Sequence, residues 1–240
     1  MDTDQAIESS PVVNRLVAAL PQRDRRRLLA ACVPVELTLG DVYCEPGERI
    51  RHAYFPLSGF ISLLLPVTGH ASLEIELVGN EGMFGIPLVL GVAVSPLRVL
   101  VQGSGQALCI SPASLRRELG HSAALRSMLS RYVYVSLAHL AQAAACNSFH
   151  TLDARLVRWL LMTHDRAHTD EFYLTHEFLA EMLGVRRVGV TNAAGVLQKR
   201  KLVSYSRGHI KVLDRAGLEE RSCSCYQADK DTYQQMMGQG

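Results

Sequence analysis

The hydrophobic pattern divides the chain into regions of different texture. Within residues 11–32 the apolar positions follow helical spacing, with an interruption at Pro21. Across residues 34–111, short apolar runs alternate with glycine and proline, which is typical of a small β-barrel or jelly roll. After Pro112 helical patterns return. The predicted fold class is therefore α+β, with an N-terminal β-barrel or jelly roll followed by helices.

Two strand pairs are predicted within the barrel region. The first joins residues 59–65 to residues 71–78, and the second joins residues 97–102 to residues 106–111 across Gly103–Gly105. Each pair is a short apolar run, a glycine-containing turn and a second apolar run. Both are predicted to be antiparallel hairpins.

The strand at 71–78 alternates apolar residues with Glu74 and Glu76. Successive side chains of a strand point to opposite faces, so the two glutamates are predicted to share one face. We expect that face to be solvated. Glu81 follows in a turn, and none of the three carboxylates suggests acid–base catalysis.

Residues 121–147 contain neither glycine nor proline and predict one long helix. Its apolar positions form a surface that is wider than one packing neighbour would cover. A dimerisation helix packed against both a barrel and a second subunit would need such a surface, although an ordinary core helix remains an alternative. The predicted dimer stripe comprises Leu125, Leu129, Tyr132, Ser136 and Leu140.

Residues 174–213 carry the clearest functional pattern. Thr175 is a natural helix N-cap, and Gly184 supplies a tight turn before a second helix. Residues 203–213 then predict two short strands with a small basic tip at Ser206–His209. Two helices joined by a tight turn and followed by a hairpin are typical of a winged helix-turn-helix, which binds DNA.

The exposed face of the second helix offers side chains that suit DNA. Arginine can donate two hydrogen bonds to guanine, asparagine can pair with adenine, and threonine suits a phosphate or a thymine methyl group. Basic residues at the end of the helix and at the wing tip suit phosphates. The predicted DNA-binding residues are Thr175, Arg186, Arg187, Val188, Thr191, Asn192, Lys199 and Arg207.

The distribution of charge supports DNA binding, whereas the total does not. The 240 residues carry a formal net charge of +2, which is too small to indicate a nucleic-acid binder. Residues 1–150 hold 12 Lys and Arg against 12 Asp and Glu, while residues 151–215 hold 11 against 7. The positive excess therefore lies in the predicted helix-turn-helix region, and residues 216–240, with 2 against 4, reduce the total.

Three segments carry a resemblance to a known family. They are the glycine-punctuated residues 79–85, the Arg-Leu-Val-Arg-Trp-Leu-Leu helix at 155–161, and residues 174–191. Through these three segments, the chain resembles the Crp/Fnr family of bacterial transcription regulators over nearly its whole length. The resemblance implies a cyclic-nucleotide-binding-type barrel, a dimerisation helix and a winged helix-turn-helix. It also implies a homodimer on a palindromic operator of double-stranded DNA, with RNA polymerase as a further expected partner.

The sequence departs from the family pattern at the effector pocket. Relatives that bind cyclic AMP carry a Gly-Glu pair and, further along, an Arg-Ser pair. Here Gly85 is followed by Ile86, and the later segment Ser95–Arg98 contains no Arg-Ser pair. We expect no cyclic AMP binding in the usual mode, and Gly85, Ile86 and Arg98 are the candidate pocket residues. A cyclic nucleotide bound otherwise, a cyclic dinucleotide, another small molecule, a redox signal and no effector all stay open.

A second departure concerns the recognition helix. The family often shows Arg-Glu followed by an Arg four residues after the Glu. The matching positions here are Arg187, Val188 and Asn192. The arginine expected to read guanine is kept while the other two differ, so the operator is expected to differ at those positions.

The six cysteines form no pattern that predicts a metal centre. No C-x2-C spacing occurs, and Cys32 and Cys44 are far apart, so an iron–sulfur cluster is not expected. Cys146 and His150 share a helix face, but two ligands make no closed site, and a packed hinge is favoured over a metal or redox switch. The C-x-C pair at 223–225 is interpreted as incidental thiols in a tail. We predict no metal ligands and, in the absence of a catalytic signature, no catalytic residues and no enzyme activity.

These patterns predict four parts. They are a sensory barrel with N-terminal helices at 1–120, a dimerisation helix at 121–147, a winged helix-turn-helix at 148–220 and a flexible tail at 221–240. The sequence shows no signal peptide or transmembrane pattern, so a cytoplasmic protein without a membrane partner is expected. The alternative function is a ligand-binding barrel whose helical C-terminal part docks a protein partner.

Overall fold

The computed structural model describes residues 13–69 and 72–238. The N-terminal helical pattern gives two short helices, Arg15–Ala18 (α1) and Gln22–Ala30 (α2), with Pro21 as the N-cap of α2. A proline has no N–H to donate, so it begins the second helix instead of extending the first. The first two residues of that predicted pattern, and Ala71 of the predicted strand, lie outside the described residues.

Seven strands form two antiparallel sheets that enclose an apolar core. The three-stranded sheet has the order β1-β7-β3, and the four-stranded sheet has the order β2-β6-β4-β5. This arrangement is the β-barrel or jelly-roll architecture predicted from the glycine- and proline-punctuated pattern. The strands are Val33–Leu37 (β1), Val42–Cys44 (β2), Ala53–Pro56 (β3), Phe60–Leu65 (β4), Leu73–Val78 (β5), Arg98–Gly103 (β6) and Gly105–Ile110 (β7).

Of the two predicted strand pairs, the structure confirms one and contradicts the other. β4 and β5 are antiparallel neighbours, with Leu65 opposite Leu73. β6 does not pair with β7: it pairs with β2 and β4, whereas β7 pairs with β1 and β3. Only Ser104 separates β6 from β7, and a tight hairpin needs at least two loop residues. The chain therefore passes from one sheet to the other at this point.

The barrel is followed by the long helix. Ile86–Val89 (α3) and Pro112–His121 (α4) precede Ala123–Phe149 (α5), whose first turn is capped by the Ser122 hydroxyl. The helix thus begins and ends two residues later than the pattern 121–147 predicted, because Ser122 accepts from the backbone N–H of Leu125 at its start. Among the described residues, no helix has the length and apolar character needed to cross a membrane.

The predicted dimer stripe on α5 is mostly used inside the chain. Leu125, Leu129, Tyr132 and Ser136 are buried, and Leu140 is partly buried. The first three pack in one core with the N-terminal helices and the barrel. Assigning these residues to a subunit interface was therefore wrong for four of the five, because the chain's own barrel covers that face.

The C-terminal region contains the predicted winged helix-turn-helix. Its sheet has the order β8-β10-β9, so the wing has three strands where the sequence predicted two. The additional strand, β8, is only three residues long and gives little periodic signal. The elements are Leu152–Ala167 (α6), Glu171–Tyr173 (β8), His176–Leu183 (α7), Arg187–Lys199 (α8), Val203–Ser206 (β9) and His209–Val212 (β10).

The predicted flexible tail at 221–240 is instead helical within its described part. After Arg215–Arg221 (α9), Ser224–Met237 (α10) packs along α5. Tyr226 is buried in the core of the C-terminal region, and the hydroxyl of Tyr233 donates to the carbonyl of Glu81 in the barrel. Charged residues between these anchors make the segment look polar in sequence, but the few apolar and aromatic residues share one side and hold the helix in place.

Candidate nucleic-acid interface

The turn between α7 and α8 has the local features that the sequence predicted. Thr175 caps α7 by accepting from the backbone N–H of Phe178 at 3.1 Å. Gly184 ends that helix with φ of 62°, the left-handed conformation that glycine adopts without a Cβ penalty. The half-buried side chain of Val185 packs against the core of this region. These contacts fix the angle at which α8 leaves the turn.

Helix α8 has an apolar buried side and a polar exposed side. Val190, Ala193, Ala194 and Leu197 are buried against α6 and the wing strands. The opposite side projects into solvent, as a helix must if it is to enter a DNA groove. The predicted contact residues on the exposed side are Arg186, Arg187, Val188, Thr191, Asn192 and Lys199.

The exposed side of α8 is partly organised by α7. Arg187 lies 3.6 Å from Glu177 in an exposed ion pair. The Thr191 hydroxyl donates to the carbonyl of Arg187 at 3.1 Å and lies 3.1 Å from Nδ1 of His176. Burial, followed by the nearby charge of Arg187, lowers the pKa of His176, so its imidazole is neutral near pH 7. Arg187 is thus held at the surface by a weak, solvent-screened pair that a phosphate or base can replace.

The wing lies next to this surface and presents a basic tip. Arg207 is exposed at the turn between β9 and β10, where it adopts φ of 49°. His176 stacks on Tyr205 of β9 with ring centroids 4.1 Å apart, which ties the wing to α7. Helix α8 and the wing therefore form a single polar and basic surface.

The other side of the C-terminal region docks on the barrel through Glu74 and Trp159. Trp159 on α6 donates its indole N–H to Glu74 of β5 at 2.6 Å, and Glu74 also accepts from Ser62 and Gln102. Burial raises the pKa of Glu74 to about 7 despite these donors. The expectation of a solvated Glu74 was therefore wrong, because α6 covers this face of the sheet.

Glu76 makes the corresponding contact with α5. Ser136 donates its hydroxyl to Glu76 at 2.8 Å, and burial raises the pKa of this carboxyl to about 7. Its solvated placement was likewise a wrong prediction. Nearby, Arg166 of α6 pairs with Glu81 at 2.8 Å. The barrel, the long helix and the C-terminal region thus meet through a row of carboxylates on and after β5.

The three candidate pocket residues are not assembled into an evident ligand cleft. A Cβ placed on Gly85 would lie 2.7 Å from Cβ of Ala53, so this glycine allows close packing within the barrel. Ile86 begins α3, and Arg98 pairs with Glu45 at 3.3 Å on the surface. A cavity of about 470 Å³ lies elsewhere, between α6 and α10, and none of the three residues lines it.

A cluster of thiols at the hinge was not predicted from the sequence. Cys223 and Cys225, assigned to a flexible tail, are buried beside Cys146 and His150 at the end of α5. The C-x3-H and C-x-C spacings were visible, but 72 residues separate the two halves and no local pattern joins them. Only the packing of α10 on α5 brings the four side chains together.

Comparison with known proteins agrees with this architecture. Residues 154–221 match the family model of the Crp-like helix-turn-helix domain. The chain is 25% identical over 187 residues to the global nitrogen regulator of Nostoc sp. (strain PCC 7120 / SAG 25.82 / UTEX 2576), an alignment that covers 70% of this chain and 79% of that protein.

Solved structures share the fold over most of the chain. A crystal structure of a Crp/Fnr-family transcriptional regulator from Eubacterium rectale superposes with a TM-score of 0.68 at 17% identity, covering 86% of this chain and 96% of the other. FixK2 from Bradyrhizobium japonicum gives a TM-score of 0.67 at 14% identity, covering 80% and 98%. The c-di-GMP-responsive regulator CLP of Xanthomonas campestris gives 0.65 at 15% identity, covering 80% and 99%.

The matched proteins are regulators and not enzymes, as the sequence predicted. The matched domain coincides with the elements that present the exposed face of α8 and the wing. The barrel and the long helix precede it in the same order as in the structural neighbours. The chain carries a Crp-like helix-turn-helix domain and is similar in fold to Crp/Fnr-family transcription regulators over most of its length.

Proposed function

We propose that the protein is a cytoplasmic homodimer that binds a palindromic operator through α8 and the wing. In the proposed division of labour, the barrel senses, α5 joins the subunits, and residues from 151 onward read DNA. The observation that carries the proposal is the exposed polar and basic side of α8, which lies opposite an apolar side that is fully buried. Arginine, threonine and asparagine on the free side of that helix are side chains that suit phosphates and base edges.

Roles for the DNA-binding residues follow from their positions. Arg187 and Asn192 project from α8 and suit base edges, while Arg186, Lys199 and Arg207 suit phosphates on either side of the groove. Val188 is 63% exposed, and an apolar side chain at that position can contact a thymine methyl group. Thr175 and Thr191 already use their hydroxyls in local hydrogen bonds and would position the helices as well as contact phosphates.

For the dimer, the exposed side of α5 replaces the stripe expected from the sequence. Ser130, Tyr134, Leu137, Ala141 and Ala144 follow the alternating four- and three-residue spacing of a coiled-coil seam. Tyr134 and Leu137 are 56% and 60% exposed, which is unusual for large apolar side chains so close together. Small residues further along the seam would allow two copies of α5 to approach closely.

The effector is proposed to act through the contact between β5 and α6. The Glu74–Trp159 hydrogen bond couples the barrel to the DNA-binding region, and His150 and Thr151 lie at the break between α5 and α6. A ligand that favours one arrangement about this hinge would change the spacing of the two recognition helices. The fold shared with CLP makes cyclic dinucleotides part of the ligand set to test, with Gly85, Ile86 and Arg98 as the pocket candidates.

A thermal-shift screen with cyclic mononucleotides and dinucleotides tests the effector. A ligand that binds only the folded protein raises the melting temperature as its concentration exceeds its dissociation constant. The Arg98→Ala variant should lose that response while keeping the ligand-free melting temperature. A ligand that stabilises both proteins equally would remove Arg98 from the pocket.

The decisive test of DNA recognition compares Arg187→Ala with Lys199→Ala. An operator is first selected with the wild-type protein from a random duplex pool, and affinities are then measured by fluorescence anisotropy over a range of salt. Arg187→Ala should weaken specific binding by about 1–3 kcal/mol and relax one base position. Lys199→Ala should reduce the salt dependence by about one counterion while leaving the sequence preference unchanged.

The variant Glu177→Gln provides a matched control, because Glu177 is the partner of Arg187 in the exposed ion pair. It frees Arg187 without removing it, so operator binding should be kept or strengthened. Loss of binding in Glu177→Gln equal to that in Arg187→Ala would mean that the pair matters only for structure. Absence of salt-sensitive DNA binding under every effector condition would instead favour the alternative, a barrel whose C-terminal part docks a protein partner.

A further inference from the structure

Four potential metal ligands meet where α5, α6 and α10 converge. They are Cys146 and His150 at the end of α5, and Cys223 and Cys225 at the start of α10. Their ligand atoms all lie within 4.8 Å of one another. The three thiols are buried and the imidazole is partly buried. Each pair comes from a different part of the chain, so the cluster is a product of the tertiary fold.

The distances fit a tetrahedral ion. Sγ of Cys146 lies 3.6 Å from Sγ of Cys223, and Sγ of Cys225 lies 3.3 Å from Nδ1 of His150. Zinc–sulfur bonds of about 2.3 Å and zinc–nitrogen bonds of about 2.0 Å imply a sulfur–sulfur edge of about 3.8 Å and a sulfur–nitrogen edge of about 3.5 Å. These two pairs lie within about 0.2 Å of the ideal edges, and the other pairs of ligand atoms are no more than 4.8 Å apart, so shifts of up to about 1 Å would complete the site.

We propose that Cys146, His150, Cys223 and Cys225 form a structural Zn²⁺ site at the hinge between the long helix and the DNA-binding region. Three thiolates and one imidazole make up a donor set typical of structural zinc, and four protein ligands leave no open position for a substrate. All four potential ligand atoms lie within 4.8 Å of one another, and a single disulfide between two of the cysteines would not require the other two residues to be this close.

The surroundings of the cluster suit a bound zinc ion. Three thiolates and Zn²⁺ carry one net negative charge, and Arg155 and Arg158 of α6 lie close enough to interact electrostatically with Cys146. Gln142 donates its side-chain N–H to Sγ of Cys225 at 3.0 Å. Such outer contacts orient the ligands of metal sites. Cys223 is the N-cap residue of α10, and Cys225 lies in the first turn of that helix.

The ion would fasten the C-terminal helix across the hinge. It would join residues 77 positions apart and act beside the pair of Arg158 on α6 with Asp229 on α10. The regulatory consequence rests on the proposed function: a fixed α10 would hold the DNA-binding region at one angle to α5. The presence of the ion itself is independent of DNA binding and can be tested alone.

The first experiment measures zinc in the full-length, untagged protein, because a histidine tag would bind metal itself. The protein is kept under a phosphine reductant, incubated with an equimolar amount of Zn²⁺, desalted and analysed by elemental mass spectrometry. Wild type should retain one zinc ion per chain. Cys225→Ser and His150→Ala should lose most of it, whereas Cys32→Ser, which alters a partly buried thiol in the barrel region, should retain it.

A second variant keeps the test valid if the loss variants fold poorly. His150→Cys offers four thiolates and should still bind one zinc ion, while His150→Ala should not. In wild type and in His150→Cys, substitution with cobalt(II) should give the visible absorption of a tetrahedral thiolate site. Adding Zn²⁺ to the metal-free wild type should raise its melting temperature until one equivalent is bound, with no such response in His150→Ala.

Several outcomes would overturn the proposal. Wild type could fail to retain zinc above the level of His150→Ala, or all variants could hold equal amounts. Without reductant, intact-mass analysis could reveal a Cys146–Cys223 disulfide in protein that binds no metal under reducing conditions. Iron with acid-labile sulfide in place of zinc would assign a different centre. None of these results involves DNA, so they are distinguishable from failure of the proposed function.

Discussion

The two long faces of α5 are both rich in apolar residues but differ in what covers them. On one face, Leu129 and Tyr132 are 1% and 4% exposed because the barrel and the N-terminal helices pack against them. On the other, Tyr134 and Leu137 are more than half exposed. Apolar character alone therefore does not reveal which face packs inside the subunit and which remains exposed and available for an interface.

The two faces of α5 also differ in their electrostatic contacts. The covered face places Ser136 against Glu76 and removes that carboxyl from water, whereas the free face meets solvent along the seam. Substitutions on the covered face should change folding stability within one chain. Substitutions on the free face should change association between chains.

Leu129→Ala should have the largest effect on stability. It leaves a cavity in a packed core, so the free energy of unfolding should fall by about 2–5 kcal/mol in urea titrations. The matched control is Leu137→Ala on the free face, which should change the unfolding free energy of the monomer by no more than about 0.5 kcal/mol at low protein concentration. Equal losses in the two variants would contradict the distinction between the faces.

Glu76→Gln should alter the pH dependence of stability. Burial raises the pKa of Glu76 to about 7 from a model-peptide value of 4.5, so the stability this group contributes is complete below about pH 4.5 and is lost as pH rises through about 7. Removing the charge should stabilise the protein at pH 8 relative to pH 5 by about 2 kcal/mol compared with wild type. Thermal unfolding at both pH values measures this.

The control for Glu76→Gln is Glu36→Gln, which alters an exposed strand glutamate in the same barrel. Its stability difference from wild type should be the same at pH 5 and pH 8. If Glu76→Gln also tracked wild type across this range, the pKa of Glu76 would not be raised in the folded protein, and burial of its carboxylate would carry no cost.

Leu137→Glu should have the smallest effect in free energy but the clearest effect on assembly. Two like charges facing each other across the seam should raise the dimer dissociation constant about tenfold or more, while the monomer remains folded. Sedimentation velocity over a concentration series measures the constant. The control Arg116→Glu alters an exposed residue on α4, away from the seam, and an equal effect of both substitutions would place the interface elsewhere.

Local features of the DNA-binding region were predictable from sequence. Thr175 and Gly184 act through hydrogen bonds and backbone conformation within a few residues, and both occur where the pattern placed them. The buried side of α8 was also predictable, from the helical spacing of its apolar residues. The third strand of the wing did not, because Glu171–Tyr173 is too short for its alternation to stand out from a loop.

Features that depend on distant contacts were mispredicted. The alternation around Glu74 correctly placed it apart from its apolar neighbours, but Trp159 of α6, 85 residues away, covers that face. The tail was judged polar by its composition, although Tyr226 and Tyr233 anchor it. The prediction that β6 pairs with β7 was likewise wrong, because the chain passes from one sheet to the other at Ser104.

The order of the regions, the start of the DNA-binding helices and the basic character of their surface were predictable from local sequence, because periodicity, capping and charge are local properties. Contacts across the fold were needed to establish which face of α5 remains free, that Glu74 is partly buried and Glu76 buried, and that Cys146 meets Cys223. A hydrophobic period of two residues in a strand, or of 3.6 residues in a helix, specifies that two sides of the element differ. It does not specify which other element packs against each side. That choice belongs to contacts between residues far apart in the chain, whose burial is favourable only when the whole fold assembles.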